Sequence, residues 1–197
     1  MTMEVKEPDV DYGKYSYADY LTWSMDEMVE LIKGRVFKMS PAPRRIHQEI
    51  SQILSNKIFN YLQGHRCKVY SAPFDVRLPV ASKKNEEIFT VVQPDICVIC
   101  DLSKLDDAGC IGAPDIVIEI LSKGNNKKEL QNKYEVYEES GVKEYWIIQP
   151  EDENMTIYTL VDGKYIPSRL LTSGDKVATS ILPEFVLNLE ELFDNLD

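Results

Sequence analysis

Two carboxylates stand in the chain where a soluble protein seldom keeps them. Asp95, within IFTVVQPDICVIC, and Glu119, within PDIVIEIL, each interrupt a β-branched, nearly continuous apolar run. Both runs are too short for buried helices and read as central strands covered on both faces. A carboxylate buried there is costly unless it is paired or binds a metal. Lys133 supplies a third group: Leu130, Lys133, Tyr134 and Tyr137 fall at i, i+3, i+4 and i+7, which sets the lysine on a core-facing helical stripe. Two acids sharing a divalent ion beside an ammonium are the parts of phosphodiester hydrolysis. The ion activates water and stabilises the pentavalent phosphate, and the lysine offsets developing charge or orients the nucleophile.

The spacing of the acids can be tested by register. If the two strands are antiparallel neighbours with Asp95 opposite Glu119, the pairing is centred on residue 107, inside the polar Asp106-Asp107-Ala108-Gly109, where a turn belongs. The two Cβ atoms would then lie about 4.5–5.5 Å apart, close enough to share an ion. Pro114-Asp115 is a rival for the first acid, but Asp115 precedes Glu119 on the same strand by about 13 Å at strand rise. The plainer readings are strand-end acids solvated at a sheet edge and a lysine that snorkels to water.

Other elements must position these groups. Ser16 can cap a short helix to Trp23, and VELI and RVFKM flank a Lys33-Gly34 turn, which places Glu30 on the first strand of a hairpin. After a Pro41-Ala42-Pro43 breaker, Ile46, Ile50, Ile53, Leu54, Phe59 and Leu62 predict a long amphipathic helix ending near Gly64, with His47 beside its apolar stripe. CKVYS and FDVRLPV read as strands, followed by a charged loop at 83–87. A second helix runs towards Gly141, KEYWIIQP reads as a strand, MTIYTLVDGKYIPSRLL as a hairpin turning at Asp162-Gly163, and a short acidic helix closes the chain.

Composition sets the frame. At 197 residues the chain is expected to form one domain over 1–197, with 1–15 as a flexible N-terminal segment. No stretch reaches the roughly 18 consecutive apolar residues of a membrane span, and the acidic N-terminus lacks a secretory pattern, so a cytoplasmic location is expected. The cysteines Cys67, Cys97, Cys100 and Cys110 show no disulfide-framework density, and the solitary Cys97-x-x-Cys100 reads as reduced core, because the two would point to opposite faces of one strand, which spoils chelation. The net charge of -11 weighs against a protein that coats nucleic acid. Much of the excess, however, lies in peripheral segments such as 184–197. Lys33, Arg35, Lys38, Arg44 and Arg45 could hold a DNA backbone or be scattered solubilising charge, and Lys123, Lys127 and Lys128, around Asn125 and Asn126, form a second basic group.

QPD at Pro94-Asp95, Glu119 in IEILS and a nearby lysine resemble the PD-(D/E)XK restriction-endonuclease-like superfamily. The longer series VELIKGRVFKMSPAP, RIHQEI, VVQPDICVI, GAPDIVIEILS, K-x-x-x-Y and GVKEYWIIQP is similar to the Uma2 family of restriction endonucleases, over about residues 16–150. The resemblance implies an α/β restriction-endonuclease-like fold: a mixed central β-sheet flanked by helices, with N- and C-terminal β-hairpins. It also implies a DNA endonuclease that uses Mg²⁺ or Mn²⁺, with metal ligation by Asp95 and Glu119 and with Glu30 and His47 as accessory members. In the superfamily's usual arrangement the lysine stands two residues after the acid, where this chain has Leu121. The Uma2 pattern moves it to the following helix, where Lys133 matches, and Glu129 replaces an aspartate that the family commonly carries ahead of it. Glu30 could otherwise be an ordinary exposed hairpin acid, and His47 a half-buried structural histidine. A homodimer is expected. The alternatives are a catalytically silent nucleic-acid-binding or interaction homodimer on the same fold, or a structural dimer without nucleic acid.

Overall fold

In a computed structural model, which describes residues 14–24, 28–39, 44–122 and 127–194, the predicted N-terminal elements form as read. Ser16 opens α1 (Tyr17–Tyr20) with a reciprocal cap: its hydroxyl accepts from the Asp19 N–H, and the Asp19 carboxylate accepts from the Ser16 N–H. The hairpin is β1 (Val29–Ile32) with β2 (Arg35–Lys38), and Lys33 and Gly34 turn it at φ 51° and 78°, the left-handed pair that a two-residue hairpin loop requires. The long helix is α2 (Arg45–Tyr61), whose Ile50, Leu54 and Ile58 are fully buried. Phe59, expected on that stripe, is 55% exposed, because one residue past Ile58 is a 100° step round the helix. The breaker at 41–43, residues 1–13 of the N-terminal segment, Lys123, Asn125 and Asn126 lie outside the described residues, as do the side chains of Lys127, Lys128 and Glu129.

Short strands follow: β3 (Lys68–Ser71), β4 (Val76–Arg77), β5 (Val91–Val92), β6 (Ile96–Ile99), β7 (Leu105–Asp106), β8 (Gly109–Ile111) and β9 (Ile116–Ile120). Next come α3 (Lys127–Ser140), β10 (Glu144–Gln149), β11 (Asn154–Val161), β12 (Lys164–Pro167), β13 (Leu171–Thr172), β14 (Lys176–Ala178), β15 (Val186–Asn188) and α4 (Leu189–Phe193). The larger sheet runs β12-β11-β10-β9-β6-β3, with β13 beside β11, the smaller runs β2-β1-β5-β4-β8-β7, and β14 and β15 pair separately as a two-stranded antiparallel ribbon. β9 and β10 are parallel, so the chain must cross over between them, and α3 is that crossover. The result is the expected mixed sheet, here with a second sheet against it. One face of the larger sheet (Ile96, Ile118, Trp146) packs on α2 and α4; the other (Cys97, Val117, Tyr145) packs on α3 and on Val76 and Val92 of the smaller sheet.

Three expectations change. IFTVVQPDICVIC is not one central strand: β5 belongs to the smaller sheet and β6 to the larger. Pro94, between them, has no N–H for a ladder, and the Gln93 N–H is taken by the Glu30 carboxylate, so the chain leaves one sheet and enters the other there. FDVRLPV pairs as a strand only over Val76–Arg77. Cys100 is not a reduced core cysteine but is disulfide-bonded to Cys67. The β3–β6 register, with Lys68 opposite Ile99, continued by one residue sets the two cysteines face to face, a pairing invisible before the register is known. Cys97 remains a buried free thiol on the other face, as strand alternation requires.

The β7–β8 hairpin turns at Asp107-Ala108, where the register argument placed a turn. Gly109 is obligatory there: its φ is 122°, and a Cβ would collide with the Asp75 carbonyl oxygen. Among the described residues no helix is long and apolar enough to cross a membrane.

Candidate active site at the seam between the sheets

β6 and β9 are antiparallel neighbours with Ile96 opposite Ile118 and Cys97 opposite Val117, so the same register puts Asp95 opposite Glu119. Glu119 shares its strand face with Val117 and so points towards α3. There Lys133 Nζ lies 3.0 Å from Glu119 Oε1, and one helical turn further on the Tyr137 hydroxyl donates to the same oxygen at 2.8 Å. Lys133 also reaches across to the smaller sheet, where Glu30 Oε1 is 3.0 Å away. Glu30, Glu119 and Lys133 are all buried, at 3%, 7% and 5% exposure. The Gln93 N–H donates to Glu30 Oε1 at 2.8 Å, which ties the crossing between the sheets to this cluster.

Asp95 forms the open end. Its Oδ2 accepts from the Ile120 N–H at 2.7 Å, and its Oδ1 stands 3.2 Å from His47 Nε2, delivered by the first turn of α2. Both side chains keep partial contact with solvent, 19% for Asp95 and 12% for His47. His47 Nδ1 is buried without a hydrogen-bond partner.

Burial pushes the Glu119 carboxyl well above the usual carboxylate range, against the pull of the Lys133 ammonium and with the push of Asp95 and Glu30. Burial alone would lower Lys133, but Glu119 and Glu30 outweigh it and hold its ammonium far above the ordinary lysine value. Burial likewise lowers His47, and the hydrogen bond and charge of Asp95 reverse that, for a net rise. The Tyr137 phenol is raised by burial and by Glu119, so it stays a donor. Three carboxyl groups thus face one firmly charged ammonium and one histidine.

The structure therefore brings Asp95, Glu119, Lys133, Glu30 and His47 together. Lys133 does not snorkel, and Glu30 is not an exposed hairpin acid. Asp115, the rival, is used elsewhere: it takes the Cys100 N–H at 2.7 Å and the Lys143 ammonium at 2.6 Å. Of the first basic group, Lys33 pairs with Glu139 at 2.9 Å, Arg44 with Glu151 at 3.4 Å and Arg45 with Glu49 at 2.8 Å, so these cations are engaged with the protein's own acids. Two contributors were missed. Tyr137 stood on the same stripe as Lys133, four residues on, and that spacing could have named it. Gln93, whose amide bonds Asp75 at 2.7 Å with its Oε1 buried and unpartnered, left no sequence signal beyond preceding the Pro-Asp pair.

The donor chemistry suits a hard cation. Mg²⁺ takes one or two carboxylates and keeps several waters, and Asp95 and Glu119 are two such carboxylates in register. Among the described residues no set of three His, Cys, Asp or Glu is arranged as a metal cage, which an all-protein site would need and a water-rich one does not. Glu119 Oε2 takes no hydrogen bond among the described residues.

The chain is similar in fold to a solved structure from Anabaena variabilis described as a "putative nuclease belonging to DUF820". The TM-score is 0.73 at 18% identity, covering 93% of this chain and 99% of that one. No curated protein matches. The Uma2 family model, described as "Putative restriction endonuclease", matches residues 17–190, which span every element from α1 to the start of α4 and all five clustered side chains, and the chain belongs to that family.

Proposed function

We propose that the protein is an Mg²⁺- or Mn²⁺-dependent endonuclease that hydrolyses phosphodiester bonds in DNA, as a homodimer. The observation that carries this reading is the position of Lys133: its ammonium is buried against two carboxylates from different sheets, one of which faces Asp95 in register. Asp95 and Glu119 would hold the ion, which when bound supplies a Lewis acid for the phosphate and a water of lowered pKa. Lys133 holds Glu119 in place and presents positive charge where negative charge develops. His47 fixes Asp95 through Oδ1, Tyr137 fixes Glu119 through Oε1, and Glu30 anchors the lysine from the opposite sheet. The family description and the Anabaena variabilis structure support a nuclease, and membership alone does not supply an activity.

A second reading has its own support. Glu119 Oε1 is already engaged by both Lys133 and Tyr137, as it would be in a structural ion-pair network on a catalytically silent nucleic-acid-binding homodimer. Incubating plasmid, linear and branched DNA with Mg²⁺ or Mn²⁺ separates the two. Cleavage by the wild type that disappears in a folded Glu119→Ala supports the enzyme, whereas no cleavage and no metal binding by either protein leaves the silent reading.

A further inference from the structure

The face of α2 turned away from the core carries a second stripe, Gln48, Gln52, Asn56 and Phe59, at i, i+4, i+8 and i+11. All four are exposed. With Ser71 and Ala72 at the end of β3 they line a groove of about 530 Å³. Inside it the Ser55 and Ser71 hydroxyls bridge helix to strand at 2.8 Å. The groove ends at the candidate site on two sides: Gln48 follows His47, and the Ala72 N–H donates to the Asp95 carbonyl oxygen at 3.0 Å. From Gln48 to Phe59 the helix rises about 16 Å, the length of about five stacked nucleotides at 3.4 Å each.

The chemistry of the lining selects among nucleic acids. Phosphate-neutralising cations serve duplex and single strand alike, and those of α2 are paired within the chain, Arg45 with Glu49 and Lys57 with Glu191 at 2.6 Å, so they do not choose between the two. What the groove offers is three side-chain amides, each with donors and an acceptor, hydroxyls, and an exposed aromatic ring. Amides pair with the edges of bases and an aromatic face stacks on them, and both need bases that are out of the double helix. We infer that the α2–β3 groove seats unpaired nucleotides of a DNA strand beside the bond to be cut, with Phe59 as the stacking platform at its far end. The scissile bond beside the groove rests on the nuclease reading, while the seating of single-stranded DNA does not.

The test is binding of a short single-stranded oligodeoxynucleotide carrying 5-iododeoxyuridine, and of its duplex, to the full chain without divalent metal. Fluorescence anisotropy and photocrosslinking read the result. The single strand binds at least about tenfold more tightly than the duplex, and the crosslink lies on the peptide bearing Phe59. Phe59→Ala, and separately Gln52→Ala with Asn56→Ala, each weaken it about tenfold with an unchanged circular dichroism spectrum. Tighter duplex binding, crosslinks elsewhere, or wild-type affinity in both variants overturns the inference. So does a sedimentation change in which Phe59→Ala dissociates a dimer, because the face is then a protein interface. If the wild type binds and crosslinks as expected but cleaves nothing with Mg²⁺ or Mn²⁺, the nuclease reading falls and the groove stands. If it cleaves and both variants bind as the wild type does, the groove falls and the nuclease reading stands.

Discussion

Lys133 and Glu30 come from a helix and from the first strand of the opposite sheet, yet their charged atoms are 3.0 Å apart with both side chains shielded from water. Removing one partner of such a pair leaves a buried charge uncompensated, at a cost of about 3–5 kcal/mol. Lys133→Ala therefore lowers unfolding stability by that amount in a urea titration. Lys133→Met combined with Glu30→Gln loses less than the two single changes added, because the double variant no longer strands Glu30.

Tyr137→Phe removes one hydroxyl and little volume. A hydrogen bond to a charged group contributes about 1.5–3 kcal/mol, so the variant is destabilised within that range and stays folded at 25 °C. If Tyr137 aligns Glu119 for a metal, Mn²⁺ affinity measured by calorimetry falls as well; a purely structural tyrosine changes stability alone.

Metal binding by the folded state raises thermal stability by mass action. At about a hundredfold excess over Kd the gain is about 2.7 kcal/mol, which for a chain of this size is a rise of roughly 5–10 °C in Tm. Wild type shows that rise with Mn²⁺, chelator removes it, and Asp95→Ala shows none. A rise retained in Asp95→Ala would place the ion elsewhere.

His47 meets Asp95 through Nε2 at 3.2 Å. His47→Gln keeps an amide donor within reach of Oδ1, and His47→Ala does not. Cleavage is expected to survive partly in the first and to fall at least about tenfold in the second, with the KM–kcat split showing whether the loss lies in binding or in the step itself. Equal activity in both makes the histidine a packing residue.

The Cys67–Cys100 bond closes a separation of 33 residues. Chain-entropy reasoning gives such a crosslink about 2–4 kcal/mol. Alkylation in denaturant without reductant should modify only Cys97 and Cys110, and Cys67→Ser with Cys100→Ser should lower stability within that range. Modification of all four cysteines would refute the bond.

Local signals explain what could be read from the chain. Asp95, Glu119 and Lys133 were legible because each breaks an apolar pattern, and periodicity is the strongest thing a sequence carries. The pairing of the two acids was legible because an antiparallel register is arithmetic about a turn, and the turn residues at 106–109 were on view. Glu30 and His47 needed the family resemblance, since an acid on a hairpin and a histidine on a helix break no rule. The second sheet was hidden because its strands are two to four residues long, too short to show alternation, and its neighbours are brought together by tertiary packing. The same limit concealed the disulfide and the division of β5 from β6.

That division has a consequence for how the site responds to change elsewhere. Asp95 hangs from the larger sheet through β6, while two residues earlier Gln93 is fastened to Glu30 and the smaller sheet. The distance from the open acid to Glu30 therefore depends on how the two sheets lie on one another, while Lys133 is also tied to Glu119 on the larger sheet. The Glu30–Lys133–Glu119 bridge works as a gauge of sheet alignment. A substitution in the Val76, Val92 and Tyr145 packing between the layers that shifts one sheet on the other would move Glu30 against Asp95 while every strand stayed paired, in a protein that still looks folded.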